Sequence, residues 1–335
     1  MPKKIIIFPV IFLLGGLLVF MKLREYLDRK IDSESILYVK KNTGISQIVT
    51  DLKNIGAIEN PTLFKFILKI KMRSKKIKYI KYGEYLLNRG DTVASVLDKL
   101  INNRIFYRSI TIPEGFSNKS VFSLLEKNEF LSGEISNRES IAEGSLLAET
   151  YYFRRDDSRN SLLERMQKDM EEFINNNWET AELDPSIATK KDLLILASIV
   201  EKESANVVEK KIIASVFLNR LRKKMRLQSD PTVIYSFAFG DVEKEGKNKI
   251  SVFAKIKSPH NTYMVGGLPP TAICNPGKES IMAVLHPAKS DYLFFVAYDN
   301  GKVGFTTNYR DHLKLVNKLR VKNNQQLKQK KTLEK

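Results

Sequence analysis

The pattern of apolar and polar positions divides the chain into stretches of different period. After Met1-Pro2-Lys3-Lys4, a short tail over residues 1–4, the run from Ile5 to Met21 carries no charge and no periodicity. At about 1.5 Å rise per residue such a helix nearly crosses a hydrocarbon core of about 30 Å. A cleaved leader would have a shorter apolar region and a small-residue cleavage site, and Met21-Lys22-Leu23-Arg24 offers none. The run therefore reads as a retained transmembrane anchor over residues 5–21. Lys3 and Lys4 on one flank face Lys22, Arg24, Arg29 and Lys30 on the other, so the charge bias alone does not set its orientation. A charged connector, residues 22–33, follows.

Beyond it one pattern recurs three times, over residues 36–52, 83–100 and 108–125. An apolar, strand-like start leads into a glycine (Gly44, Gly90, Gly115), then a cap (Ser46, Thr92, Ser117), then apolar residues at helical spacing. The recurrence is either a duplicated βα module or the ordinary repetition of strand-to-helix transitions. The first two copies fill residues 34–107, where little chemistry is visible and a binding or spacer role fits. Further on, Leu162, Leu163, Met166, Met170 and Phe173 form one helical stripe, and Asp184-Pro185 breaks the chain. Two more helices are expected, over "KKDLLILASIVEKES" and over 209–225, with Ile212, Ile213, Val216, Phe217 and Leu221 inward. Asp230 before Pro231 reads as a helix cap. Residues 260–277 read as loop, and 291–308 as a hairpin turning at Asp299-Asn300-Gly301. The lysine-rich end, residues 322–335, reads as a disordered basic tail. The fold class is α+β.

Composition narrows the chemistry. The formal net charge of +18 suits an acidic partner, whether nucleic acid, anionic lipid or anionic polymer, or reflects a general lysine bias. The lysines look spread along the chain rather than gathered in one stripe. With no RNP-type or zinc-finger signature, nucleic acid is not an expected partner. One cysteine, Cys274, rules out an intramolecular disulfide and a Cys-rich metal site. His260, His286 and His312 have no metal-ligand spacing, no phosphate-binding glycine loop is present, and Ser198 and Ser204 lack a nucleophile-elbow setting. No metal or cofactor is expected.

"LASIVEKES", residues 196–204, places two glutamates at the end of an oily run. On a helix Glu203 shares a face with Leu196, Ile199 and Val200, with Val207 one turn on, whereas Glu201 lies above Ala197 and Ser198. A carboxyl against aliphatic side chains loses hydration, which raises its pKa and suits it to general acid catalysis near neutrality. Geometry nominates Glu203, and Glu201 reads as an ion-pair partner of Lys202 or Lys210. The plain alternative for either is a solvated or lysine-paired carboxylate.

"TIPEG" (111–115), "LASIVEKES", "ASVFLNRL" (214–221), "MRLQSDPTVIY" (225–235), "NTY" (261–263), "GLPP" before Thr271, "NPG" (275–277) and "HPA" (286–288) occur in this order. Together they resemble the endolytic murein transglycosylase family, the MltG or YceG-like proteins. The resemblance runs from about Ser35 to Asn317. It implies a single-span protein of the cell inner membrane, with a LysM-like domain over 34–107 and a catalytic domain over 108–321 on the periplasmic side. It implies an enzyme that cleaves the β-1,4 MurNAc–GlcNAc bond of peptidoglycan without water, leaves 1,6-anhydro ends and terminates nascent strands. Partners would be peptidoglycan strands, the membrane and cell-wall synthesis proteins.

The family's acid falls on Glu203, and Glu203-Ser204 is similar to the Glu-Ser pair of other lytic transglycosylases. Gln228, Asn261 and Tyr263, from motif segments, are candidates for substrate binding; for each, a capping or loop-bracing hydrogen bond is an equal alternative. Ala148 and Glu149 stand where the family carries Pro and Asp, His260 where Tyr is usual, and Thr271 where Gly is common. A second class of function, a non-catalytic cell-wall-binding scaffold, uses the recurrent βα pattern and the basic charge.

Overall fold

In a computed structural model of the chain, residues 4–239, 257–297 and 303–318 are described. Helix α1 (Lys4–Asp28) covers the apolar run and continues into the charged connector. Leu13, Leu14, Leu17, Leu18 and Phe20 on it are exposed. Among the described residues no helix is long and apolar enough to cross a membrane; the side chains of residues 5–12, half of the expected span, lie outside the description.

The chain divides into two units. The first comprises Met1–Ser109 with Phe130–Ser132 and Tyr152–Asp157, and the second comprises the remainder. In the first, β1 (Ser35–Val39), α2 (Ile45–Asn54), α3 (Pro61–Ser74), β2 (Gly83–Leu87) and α4 (Val93–Ile101) follow in order. β1 and β2 pair antiparallel, with Leu37 opposite Tyr85 and Val39 opposite Gly83. Their inward residues Leu37, Val39, Tyr85 and Leu87 close on Leu52, Phe64, Leu68, Val96 and Leu97, all buried. Thr92 caps α4 by accepting the Ser95 N–H, as its position implied. Ser46 does not cap α2: the helix starts at Ile45, Gly44 is its N-cap, and no side chain caps it. Glu84 is buried beneath Arg108, which donates two bonds of 2.6 and 2.9 Å, and Arg155. Burial opposes its ionisation, but the two guanidiniums outweigh it and its pKa is lowered.

Helix α3 was not apparent in the apolar pattern. Asn60 caps it by accepting the Leu63 N–H, Pro61 opens it, and Phe64, Leu68 and Met72 point inward. Its outer side overturns the view that the lysines are merely spread. Lys69, Lys71, Arg73, Lys75, Lys76 and Lys78 are exposed, with no acidic residue between Glu59 and Glu84.

Strands β3 (Arg108–Thr111) and β4 (Thr150–Phe153) pair with each other. The second unit is largely helical: α5 (Asn118–Glu126), α6 (Arg159–Trp178), α7 (Lys190–Glu203), α8 (Val207–Arg222), α9 (Asp230–Phe239) and α10 (Lys278–Leu285). Ser117 caps α5 as expected. The stripe on α6 buries Leu162, Leu163, Met166 and Met170, but Ile174 rather than Phe173 completes it. On α8, Ile213, Val216 and Phe217 are fully buried, while Ile212 and Leu221 are only partly so. Strands β5 (Phe294–Ala297) and β6 (Val303–Thr306) form the expected antiparallel hairpin. Its turn at 299–301 and the tail at 322–335 lie outside the described residues.

α7 is the axis of the second unit. Its Leu193, Leu196, Ala197, Ile199 and Val200 are completely buried, and α8, α9 and α10 pack on it. At about 25 cal/mol per Å² of apolar surface, each of the Leu, Ile and Val side chains contributes roughly 1.5–3 kcal/mol. The C-terminal end of α7 is anchored by this packing, and Glu201 and Glu203 lie there.

Candidate active site

α7 begins with a reciprocal cap, Thr189 accepting the Asp192 N–H while the Asp192 carboxylate accepts the Thr189 N–H. It ends at Glu203, because Ser204 is extended (φ −149°, ψ 144°). Asn206 then caps α8 by accepting from Val208 and Glu209. Val207 thus belongs to the next helix, is exposed, and does not continue the face of Glu203 as expected. The aliphatic wall comes from within α7 and from the elements packed on it.

The two glutamates face different surroundings. Glu201 is almost fully covered and bonded on every side. Lys210 Nζ lies 3.2 and 3.1 Å from its two oxygens, the Gly277 N–H donates at 3.0 Å and the Ser280 hydroxyl at 2.6 Å. It ties α7, α8 and the start of α10 together, with Glu114 on the far side of Lys210 at 3.8 Å. That arrangement is a buried ion pair with its remaining lone pairs satisfied. The expected pairing of Glu201 with Lys210 is present.

Among the described residues Glu203 has no lysine partner. Its Oε1 accepts from Ser229 Oγ at 2.6 Å. Burial pushes its carboxyl up to about 7; the Ser229 bond and the Arg220 charge pull it down, and the Asp230 charge adds to the rise. The residue as a whole is partly exposed. A carboxyl half-protonated near neutrality can donate a proton and take one back.

Ser229 is held in place by the segment that contains two of the sequence candidates. The Ser229 N–H donates to Thr262 Oγ1 at 2.9 Å, and Gln228 N–H donates to Thr262 O at 3.2 Å. Gln228 adopts φ +49°, a left-handed turn that aims Ser229 inward and leaves the Gln228 side chain exposed. Tyr263 donates its hydroxyl to Asp230 Oδ1 at 2.6 Å. Burial first, then Asp230, raises its pKa. Asp230 opens α9 as expected, and its carboxylate receives the Tyr263 hydroxyl. Asn261 is fully buried, and its Oδ1 accepts the Tyr263 N–H at 3.0 Å, bracing the loop.

Glu203 and Tyr263 therefore share one electrostatic neighbourhood with Ser229, Asp230 and Arg220. Sequence reasoning missed Ser229 and Arg220. Ser229 sits inside "MRLQSDPTVIY", the most distinctive motif, and that was its one signal. Ser204 instead donates to Glu209 at 2.9 Å. Arg220, buried, donates to the carbonyls of Leu227 and Leu293, each at 2.6 Å.

The residues that depart from the family pattern also have partners. His260 Nε2 and Thr271 Oγ1 lie 2.8 Å apart, so two departures meet each other. The His260 ring packs 5.0 Å from that of Tyr235, and burial lowers its pKa. Ala148 is buried, and Glu149 pairs with Lys278 at 2.5 Å. Glu143, whose oxygen accepts the Asn118 N–H at 2.8 Å, is pushed up to about 7 by burial. It lines a cavity of about 560 Å³ with Met170, Ile174, Leu194 and Thr271, to which Glu203 does not contribute. Among the described residues no cluster of three or more His, Cys, Asp or Glu could hold a metal ion.

An α+β protein with one desolvated carboxylic acid at a helix end, faced by neutral hydroxyls, has the machinery for acid–base work on a polar substrate. Comparison with known proteins gives it a family. Residues 37–318 match the YceG-like family, and the chain belongs to it. It is 32% identical to the endolytic murein transglycosylase of Bacillus subtilis (strain 168) over 337 residues, covering 90% of this chain and 89% of that one. The endolytic murein transglycosylase of Streptococcus pneumoniae serotype 2 is 26% identical over 84% of this chain, which spans 58% of that protein's length. A 2.6 Å crystal structure of a YceG-like protein from Listeria monocytogenes aligns with a TM-score of 0.51 at 29% identity, over 85% of this chain and 100% of that one.

Proposed function

We propose that the chain is a membrane-anchored endolytic lytic transglycosylase of peptidoglycan, with Glu203 as its single acid–base residue. The observation that carries this reading is the Glu203 carboxyl, pushed up to about 7 by burial and bonded to the Ser229 hydroxyl with no lysine beside it among the described residues. Protonated Glu203 donates to the glycosidic oxygen between MurNAc and GlcNAc. As a carboxylate it then takes the proton of the MurNAc C6 hydroxyl. That oxygen closes on C1, and a 1,6-anhydro end forms with no water consumed. One carboxyl suffices, unlike in hydrolytic glycosidases, which use two. Asp230 is engaged by Tyr263, which supports its role as an electrostatic neighbour that keeps Glu203 protonated rather than as a nucleophile. Tyr263 and Gln228 present phenol and amide groups to the sugar, and Asn261 holds their loop.

The strand–helix–helix–strand arrangement of residues 35–87 supports a LysM-like glycan-binding role for residues 34–107, with the catalytic domain over 108–321. Residues 5–21 act as the single span, with the remainder on the periplasmic side of the inner membrane, where nascent strands and synthesis proteins lie. The experiment is digestion of purified murein glycan with mass spectrometry of the products. Anhydromuramic ends are expected with wild type and with Glu201→Gln corrected for folded protein, and not with Glu203→Gln. Loss of the acid predicts roughly 10²–10⁴-fold lower rate. Anhydro ends that persist in Glu203→Gln refute the assignment, and no anhydro ends at all would favour the scaffold reading.

A further inference from the structure

Among the described residues no element covers the outer face of α3. Phe64, Leu68 and Met72 bury one side of the helix, so Phe66, Lys69, Ile70 and Arg73, at spacings of three, four and seven, share the opposite side. Phe66 is 63% exposed and Ile70 52%. In the loop beyond the helix Tyr79 is 70% exposed, between Lys78 and Lys81. Here the exposed apolar groups lie close together and are interleaved with cations. No carboxylate pairs with Lys69, Lys71, Arg73, Lys75, Lys76 or Lys78 among the described residues. Lys75 donates to a neutral acceptor, Asn102 Oδ1, at 3.0 Å. From Asn60 to Gly83 the chain holds no acidic residue.

We propose that the outer face of α3 and the Lys75–Lys81 loop form a docking surface for an anionic lipid bilayer. The pattern has the two components that interfacial binding needs. Phe66, Ile70 and Tyr79 can enter the headgroup–acyl boundary, and the surrounding cations meet lipid phosphates. A dissolved polyanion would use the cations and leave the three apolar side chains in water. The charge complementarity together with the exposed apolar groups favours the bilayer. The proposal uses the anchor reading only to bring this unit near a membrane. Docking would lay the first unit against the surface instead of leaving it free on its tether.

The test uses the full chain carrying Phe66→Cys, labelled with an environment-sensitive fluorophore and reconstituted into vesicles. The native Cys274 is buried, and wild type taken through the same labelling reaction is the control for site selectivity. In phosphatidylglycerol-rich vesicles the label should shift to the blue and be several-fold less quenched by aqueous acrylamide, a neutral quencher, than in phosphatidylcholine. High salt should reverse this, because the Debye length shrinks from about 8 Å to about 3 Å. Each cation removed should weaken docking about five-fold, so Lys69→Glu, Lys71→Glu, Lys76→Glu and Lys78→Glu together should cost at least several hundred-fold. These side chains are exposed, and unchanged circular dichroism would confirm that the fold is kept. Equal acrylamide access in both lipids, or protection that survives the four reversals, overturns the proposal. So does protection by a soluble sulfated polymer without protection by anionic vesicles. Failure of the anchor is a separate result: protein that does not float with phosphatidylcholine vesicles.

Discussion

Glu203→Gln should stabilise the folded protein at alkaline pH and leave it unchanged in acid. The folded carboxyl has a pKa of about 7 against an ordinary 4.5. A folded value above the unfolded one means that the native chain binds the proton more tightly. Wild type therefore has its full stability below pH 4.5 and loses it as the pH rises to 7, with no further loss above. Each pH unit of that window is worth about 1.4 kcal/mol, which gives an upper bound near 3 kcal/mol. The partial exposure of the residue lowers this to about 1.5–3 kcal/mol. Glutamine keeps the shape and cannot ionise, so the variant escapes the loss. Urea unfolding of both proteins in the same detergent, from pH 4.5 to 8.5, measures it directly. The stability gap should open across the window and level off, with Tm differing by roughly 3–10 °C at pH 8. Glu143 and Glu114 also titrate abnormally, but both are present in each protein and cancel in the difference. A gap that does not change with pH would mean that Glu203 is an ordinary solvated glutamate. The acid assignment would then lose its physical basis whatever the activity of the variant.

Three further outcomes follow from the same geometry. Ser229→Ala removes a hydrogen bond that favours the ionised acid, typically about 1.5–3 kcal/mol. The alkaline limb of the pH–rate profile should move upward by about one to two pH units, and an unmoved limb refutes the link. Asp230→Asn removes the charge that helps keep Glu203 protonated, so that limb should move downward and turnover at pH 7.5 should fall several-fold. Lys210→Met strands Glu201 and leaves Glu114 without its cation, and should cost roughly 3–5 kcal/mol in urea unfolding. Activity per folded molecule should be little changed; a selective loss of turnover would move Glu201 and Lys210 into the chemistry.

What was readable in the sequence was local. α6 is visible through the single stripe it buries, and α7 and α8 through their apolar runs, which they bury around most of the helix; the strand-to-helix transitions at Thr92 and Ser117 announce themselves through their caps. The choice between Glu201 and Glu203 also rested on local spacing; both carboxyls are largely covered, and they differ in that Glu201 has Lys210 beside it whereas Glu203 accepts from Ser229. Helix α3 escaped although Phe64, Leu68 and Met72 form an inward stripe, because Phe66 and Ile70 interrupt its cationic outer side. Its cap at Asn60 and its Pro61 were the remaining signals.

The partners of each glutamate were another matter. Ser204 is next to Glu203 in the chain, but the helix stops between them and an extended Ser204 turns its hydroxyl to Glu209. The hydroxyl that reaches Glu203 is on Ser229, and it arrives because Gln228 takes a left-handed turn stitched to Thr262. Gly277 and Ser280 come to Glu201 from the other end of the unit. A helix face can nominate a carboxyl. Which hydrogen bonds then set its proton affinity depends on tertiary neighbours, and a substitution at Ser229 therefore probes the fold's contribution to the chemistry more directly than one at Ser204.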